Sequence, residues 1–289
     1  MATPGSNTPG KKDRREDARE KARIEREAEK KRQRRNKIFL QGGIGAAVVA
    51  IVVIIVLVVV GNGASSGGGG GGSSKGPKNM GSSGILFSGS DGKLTAAVTP
   101  AAKISDAVTP KAGDSSDGVA NIVTYVDWAC PACQSFEKAY AADIADLVKS
   151  GKATLDVQPV SILDRNYQTS RYASRAANAA ACVANFAPDK FLDAQNVFYD
   201  KQPQEGSNGL TNSQIKSLLS ESGVGTDAIN KCVDNETYKK WVSNVTAKVT
   251  SNPDLIDATQ GGFSTPTVFV DGKRWDSKGD FLTFVKQNS

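Results

Sequence analysis

The chain has 289 residues and no histidine; cysteine (four), methionine (two) and tryptophan (three) are sparse. Without imidazole there is no His-ligated zinc, no Cys-His or Ser-His nucleophile pair and no histidine general base. Positive charge is also missing where a polyanion would need it. The formal net charge is +6, yet residues 1–37 hold 14 of the 36 Lys and Arg and 7 of the 30 Asp and Glu. Residues 38–289 therefore carry 22 basic against 23 acidic side chains. The basic excess belongs to a tail, and the rest has no field for binding nucleic acid.

One long apolar run is present. Residues 38–60 carry no charge, and 46–60 are unbroken Ala, Val, Ile and Leu. At 1.5 Å per residue they span about 34 Å, enough to cross a bilayer core. Lys30, Lys31, Arg32, Arg34, Arg35 and Lys37 abut the N-terminal end, so the positive-inside rule keeps that end in the cytoplasm and exports the chain beyond residue 60. The preceding tail is too long for a signal-peptide n-region and no small-x-small site succeeds the run, so it is expected to stay as a single-pass signal anchor in the cell membrane. Residues 61–84, with six consecutive glycines at 67–72, read as a flexible Gly/Ser linker.

The chemistry centres on Cys130-Pro131-Ala132-Cys133. Upstream, the β-branched run 119–126 reads as a buried strand. Downstream, Phe136, Tyr140, Ile144 and Leu147 recur at helical spacing until Ser150-Gly151. A Cys-x-x-Cys pair at the first turn of a helix meets unpaired N–H groups and the positive end of the helix dipole, which favour a thiolate on Cys130. Asp127 and Trp128 complete the loop; Asp127 reads as an acid near the thiols or a cap, Trp128 as a rim residue or as packing. Residues 153–158 alternate and read as a second strand, and Ile85-Leu86-Phe87 as the start of an edge strand. Helical spacing then dominates through 167–186, 191–199, 213–219 and 237–249. Sheet character returns at 267–270, then Asp271-Gly272, a type I′ hairpin signal, and Lys273-Arg274-Trp275. Residues 279–287 read as a closing helix. Thr265-Pro266 stands directly before the last hairpin, where a cis bond would present the Thr265 backbone to an extended peptide.

Residues 126–133 and 265–272, with Pro266 lying 133 positions after Cys133, resemble a DsbA-like thioredoxin-fold protein of the actinobacterial, membrane-anchored type. The resemblance covers roughly 85–288. It implies an α/β thioredoxin fold in two parts, 85–160 with the Cys-x-x-Cys and 261–289 with the cis proline, interrupted by a helical insertion at 161–260. It implies a Cys130 nucleophile, a Cys133 resolving thiol, a substrate groove lined by Thr265 and cis Pro266, and no cofactor. Two positions depart from the family. Thr124 stands where several relatives place an acid, six residues before the first cysteine. Pro131-Ala132 lacks the histidine of the strongly oxidising members, which should raise the Cys130 pKa relative to theirs.

Cys182 and Cys232 in an exported chain pair by default as a structural disulfide; a four-cysteine zinc site and two free thiols are the alternatives. The expected activity is oxidation of exported proteins with cysteines, reset by a membrane re-oxidase of DsbB-like or vitamin K epoxide reductase-like type. The same fold could act as a reductase or isomerase, or serve as a tethered, non-enzymatic binding module. No heptad signals a dimer, so a monomer is expected.

Overall fold

The computed structural model describes residues 75–103, 118–257 and 261–289. The expected tail, membrane span and most of the linker lie outside the described residues. Among the described residues no helix is long and apolar enough to cross a membrane.

A six-stranded sheet in the order β2-β1-β4-β3-β5-β6 forms the centre. Its strands are β1 (Ile85–Ser90), β2 (Lys93–Ala96), β3 (Ala120–Val126), β4 (Ala153–Pro159), β5 (Thr267–Val270) and β6 (Lys273–Arg274). β3 and β4 run parallel, joined by helix α1 (Pro131–Lys149); the other pairings are antiparallel. Pro131 at the first helical position starts α1 with its φ already set. At the other end the N–H of Lys152 bonds Leu147 O at 2.9 Å, with Gly151 at φ 70° making the reversal.

Period two separates the sheet faces. One row runs Phe87, Leu155, Ile122, Val270. The opposite face carries Asn121, Thr154, Asp156 and Gln158, all buried. Alternation in β4 would ordinarily put that polar row in water, yet every residue of the strand is buried. At Asp156 and Gln158 the reason is residues 75–84. Although composition assigns them to the linker, they lie on the fold: Ser82 Oγ donates to Asp156 Oδ2 (3.0 Å), Asn79 Nδ2 to Ala184 O (2.8 Å), and Met80 is buried. Gly84 approaches so closely that a Cβ there would stand 2.2 Å from Gln158 Nε2. This glycine permits contact rather than flexibility. β1 is likewise not an edge: the Asp91-Gly92 turn, with φ of 53° and 78°, adds β2 outside it.

Between β4 and β5 the chain leaves the sheet for a helical unit: α2 (Tyr172–Phe186), α3 (Phe191–Asp200), α4 (Asn212–Glu221), α5 (Asp227–Asp234) and α6 (Lys239–Ser251). α2 is alanine-rich and buried along most of its length, which lets α3, α5 and α6 pack closely round it. Thr211 and Gln214 form a capping box at the start of α4. The Cys182–Cys232 disulfide ties α2 to α5 across 50 residues. Helix α7 (Phe281–Asn288) closes the chain, with Phe281 edge-on and Trp275 tilted against Phe136 of α1.

Candidate active site

Cys130 is the N-cap residue of α1, and Cys133 lies one turn in, on its buried face. The two are free thiols. Pairing of β5 with β3, Tyr125 opposite Thr267, brings the distant Thr265-Pro266 segment beside the first cysteine. The Thr265–Pro266 bond is cis, and Cys130 Sγ donates to Thr265 O at 3.4 Å.

The two thiols differ because their surroundings differ. The Cys130 thiol is lowered from 9.0 to about 6, chiefly by the Cys133 S–H, with help from Thr265 and the N–H groups of Cys133 and Ala132, against the opposing effect of burial. No cationic side chain is among these causes; a helix N-terminus and a partner thiol suffice. Cys133 is pushed well above the usual range, first by burial and then by Cys130. One sulfur is thus poised as a thiolate at neutral pH and the other as a thiol. Pro131 and Ala132 are exposed beside them.

The turn leading to Cys130 is fixed by buried polar groups. Asp127 is fully buried: Oδ1 accepts from Ala129 N (2.9 Å), Oδ2 from Ile162 N (2.8 Å) and Leu163 N (3.1 Å). It therefore ties the turn to the chain leaving β4 instead of capping α1. Burial raises its carboxyl to about 7 against those three bonds. Trp128 does not rim the site. It is 1% exposed, packs on Phe191 and Phe198, and donates Nε1–H to Gln195 Oε1 at 3.0 Å. A large apolar ring with one N–H is better placed in a core that supplies an acceptor.

Three successive carbonyls of the turn are held by the helical unit. Gln202 Nε2 donates to Trp128 O (3.0 Å) and Cys130 O (3.1 Å), and Tyr167 Oη to Ala129 O (2.7 Å). Neither residue carries a sequence signal, because each acts from more than thirty positions away. Glu137 carries none either. It sits on α1 four residues past Cys133, accepts from Gln195 Nε2 at 3.0 Å, and has its carboxyl raised to about 7 by burial. Thr124 is buried, and its hydroxyl has no hydrogen-bond partner among the described residues. No group of His, Cys, Asp and Glu among them could hold a metal ion, and the disulfide removes Cys182 and Cys232 from any zinc site.

The family model described as thioredoxin matches residues 110–287, more than half of the chain. The chain belongs to the thioredoxin family. Similar solved structures include MdbA, a thiol-disulfide oxidoreductase from Corynebacterium diphtheriae, 18% identical, covering 75% of this chain and 94% of that one at a TM-score of 0.52. DsbA from Mycobacterium tuberculosis is 28% identical, covering 58% and 82% at 0.49. MdbA from Actinomyces oris is 20% identical, covering 61% and 83% at 0.46. No curated protein sequence matches. In this chain, the half with the cysteine pair and the half with the cis proline are separated in sequence by the helical unit.

Proposed function

We propose that this member of the thioredoxin family is an extracytoplasmic thiol–disulfide oxidoreductase that introduces disulfide bonds into exported proteins. The observation that carries the reading is the asymmetric pair: Cys130 at the helix N-cap with its thiolate favoured, Cys133 buried behind it, and Thr265–Pro266 alongside. In the oxidised pair a substrate thiolate attacks Cys130, the Cys130–Cys133 bond breaks, and its electron pair passes to Cys133. A second substrate thiolate attacks the substrate sulfur of the mixed disulfide and releases Cys130 as a thiolate. A low pKa makes Cys130 a good leaving group in that step. The two electrons stay on the pair until a membrane re-oxidase of DsbB-like or vitamin K epoxide reductase-like type removes them.

The uncharged run 38–60 and its basic flank support anchoring in the cell membrane with the catalytic domain outside. Redox equilibration with glutathione tests the direction. A reduction potential towards DsbA's, about −120 mV, is expected, and one near thioredoxin's, about −270 mV, would assign it to the reductases. In cells, Cys133→Ala should trap exported substrates as mixed disulfides on Cys130; a variant that traps none would leave a binding module.

A further inference from the structure

The segment that carries Thr265 to Cys130 is held from several sides. Backbone bonds close its base: Asp257 N donates to Gly262 O at 3.2 Å and Gly261 N to Asp257 O at 3.0 Å. Phe263 meets the buried ring of Tyr125 on β3 edge-on, with centroids 5.9 Å apart. The hold on the next residues, Ser264 and Thr265, comes from β6, at the edge of the sheet.

Arg274 pairs with Phe269 in the β5–β6 register, so their side chains share one sheet face with Thr267, two positions back along β5. The guanidinium stands over the Phe269 ring, 5.1 Å from its centroid. From there its fork spans two parts of the chain. Nη2 donates to Leu255 O, where the chain arrives from α6, and Nη1 to Thr267 Oγ1 at 3.2 Å, where it re-enters the sheet. Thr267 Oγ1 in turn donates to Ser264 O at 2.8 Å. The direction of this series is forced. A guanidinium has only donors, so the Thr267 oxygen must accept from it, and the hydroxyl proton is left for Ser264. The cation also polarises the hydroxyl and strengthens the bond it gives. Ser264 C=O and Thr265 N–H belong to one planar peptide group, so fixing that oxygen fixes where the Thr265 N–H points. The carbonyl of Thr265 itself accepts from Cys130 Sγ at 3.4 Å.

We infer that Arg274 is a positioning residue for polypeptide substrates: through the Thr267 hydroxyl it sets the Ser264–Thr265 peptide plane on which an extended, cysteine-containing segment pairs. This rests on the oxidoreductase reading and deepens it. Arg274 acts through Thr267 and Ser264, not on the sulfur. The backbone closure at Asp257 and Gly262 does not involve it, so losing Arg274 loosens the Ser264–Thr265 plane and leaves the base of the loop in place. An extended peptide reads that plane along its backbone. A small dithiol has no backbone to pair and does not read it. Lysine at this position keeps the charge but offers a point donor, with no fork to span Leu255 and Thr267 together.

The test measures the rates at which oxidised full-length protein reacts with an unstructured peptide holding one cysteine and with dithiothreitol, and reads the ratio of the two. Arg274→Ala and Thr267→Val are expected to lower the peptide-to-dithiothreitol ratio at least about fivefold. Thr267→Ser keeps the hydroxyl and holds the wild-type ratio, whereas Arg274→Lys stays below it. A general loss of stability slows both reactions alike and leaves the ratio where it was. An unchanged ratio in Arg274→Ala and Thr267→Val overturns the proposal, and so does a wild-type ratio in Arg274→Lys. A wild-type protein that exchanges with neither thiol overturns the oxidoreductase reading instead, so the two failures are distinct. Thr267→Val removes one hydroxyl and carries the test if Arg274→Ala does not fold.

Discussion

Removing Cys133 should cost Cys130 its reactivity as well as its disulfide partner. The Cys133 S–H is the largest influence holding the Cys130 thiol near 6. At pH 7 a thiol at that value is about nine-tenths ionised, whereas one at 9.0 is about one-hundredth ionised. In the reduced protein the difference also contributes to stability. The folded-state value lies below the unfolded one, so the contribution is complete above about pH 9, fades as pH falls, and is gone below about 6. At pH 7 it amounts to about 1.4 kcal/mol. The assay is thiolate absorbance in the ultraviolet, measured against pH in reduced wild type and in Cys133→Ala. Wild type should titrate near pH 6, and the variant at least about one unit higher. Denaturant unfolding of the reduced wild type should gain stability from about pH 6 to 8 relative to the oxidised form, in which Cys130 does not titrate. A wild-type midpoint at or above about 8, or a variant with an unmoved midpoint, would refute the assignment of the shift to Cys133.

The oxidised protein should behave in the opposite sense. Burial raises the Asp127 and Glu137 carboxyls to about 7 and Asp156 to about 6, so the folded state holds extra protons and stability falls as pH rises from about 4 to 7. Thermal unfolding should give a higher Tm at about pH 5 than at about pH 8, and the reverse order would contradict it. Replacing Cys182 and Cys232 together by alanine opens a 50-residue loop and should lower unfolding stability by up to about 4 kcal/mol, read from denaturant titration. Gln202→Ala strips the amide from Trp128 O and Cys130 O and should cost about 1–3 kcal/mol. An unchanged denaturation midpoint would show that water replaces it fully.

The parts of this fold that are legible in sequence are those whose signal is local. β3, α1 and the β5–β6 hairpin announce themselves by apolar period and by Asp271-Gly272, and the Cys-x-x-Cys marks the site. Asp91-Gly92 carries the same turn signal, but the strand beyond it, Lys93 to Ala96, is a largely exposed edge with too little apolar pattern to register. Residues 75–84 read as linker, and wrongly, because glycine has two uses. At Gly84 and at Gly76, where a Cβ would meet Trp241 Nε1 at 2.4 Å, it removes bulk from a contact. Trp128, Glu137, Tyr167 and Gln202 owe their roles to partners far along the chain, and no window of sequence contains both ends of those bonds. The disulfide is legible only as a default of cysteine count and expected compartment.

The bond between Cys130 and Thr265 spans 135 positions, with the whole helical unit lying between. A chain made from its N-terminus therefore presents the reactive cysteine long before β5 exists to set Thr265–Pro266 against it. Until the last strand is paired, Cys130 has Cys133 beside it but not the Thr265 carbonyl, and it shares the growing chain with Cys182 and Cys232. Its own disulfide, Cys182–Cys232, is therefore chosen from four cysteines, two of which belong to a site still being assembled.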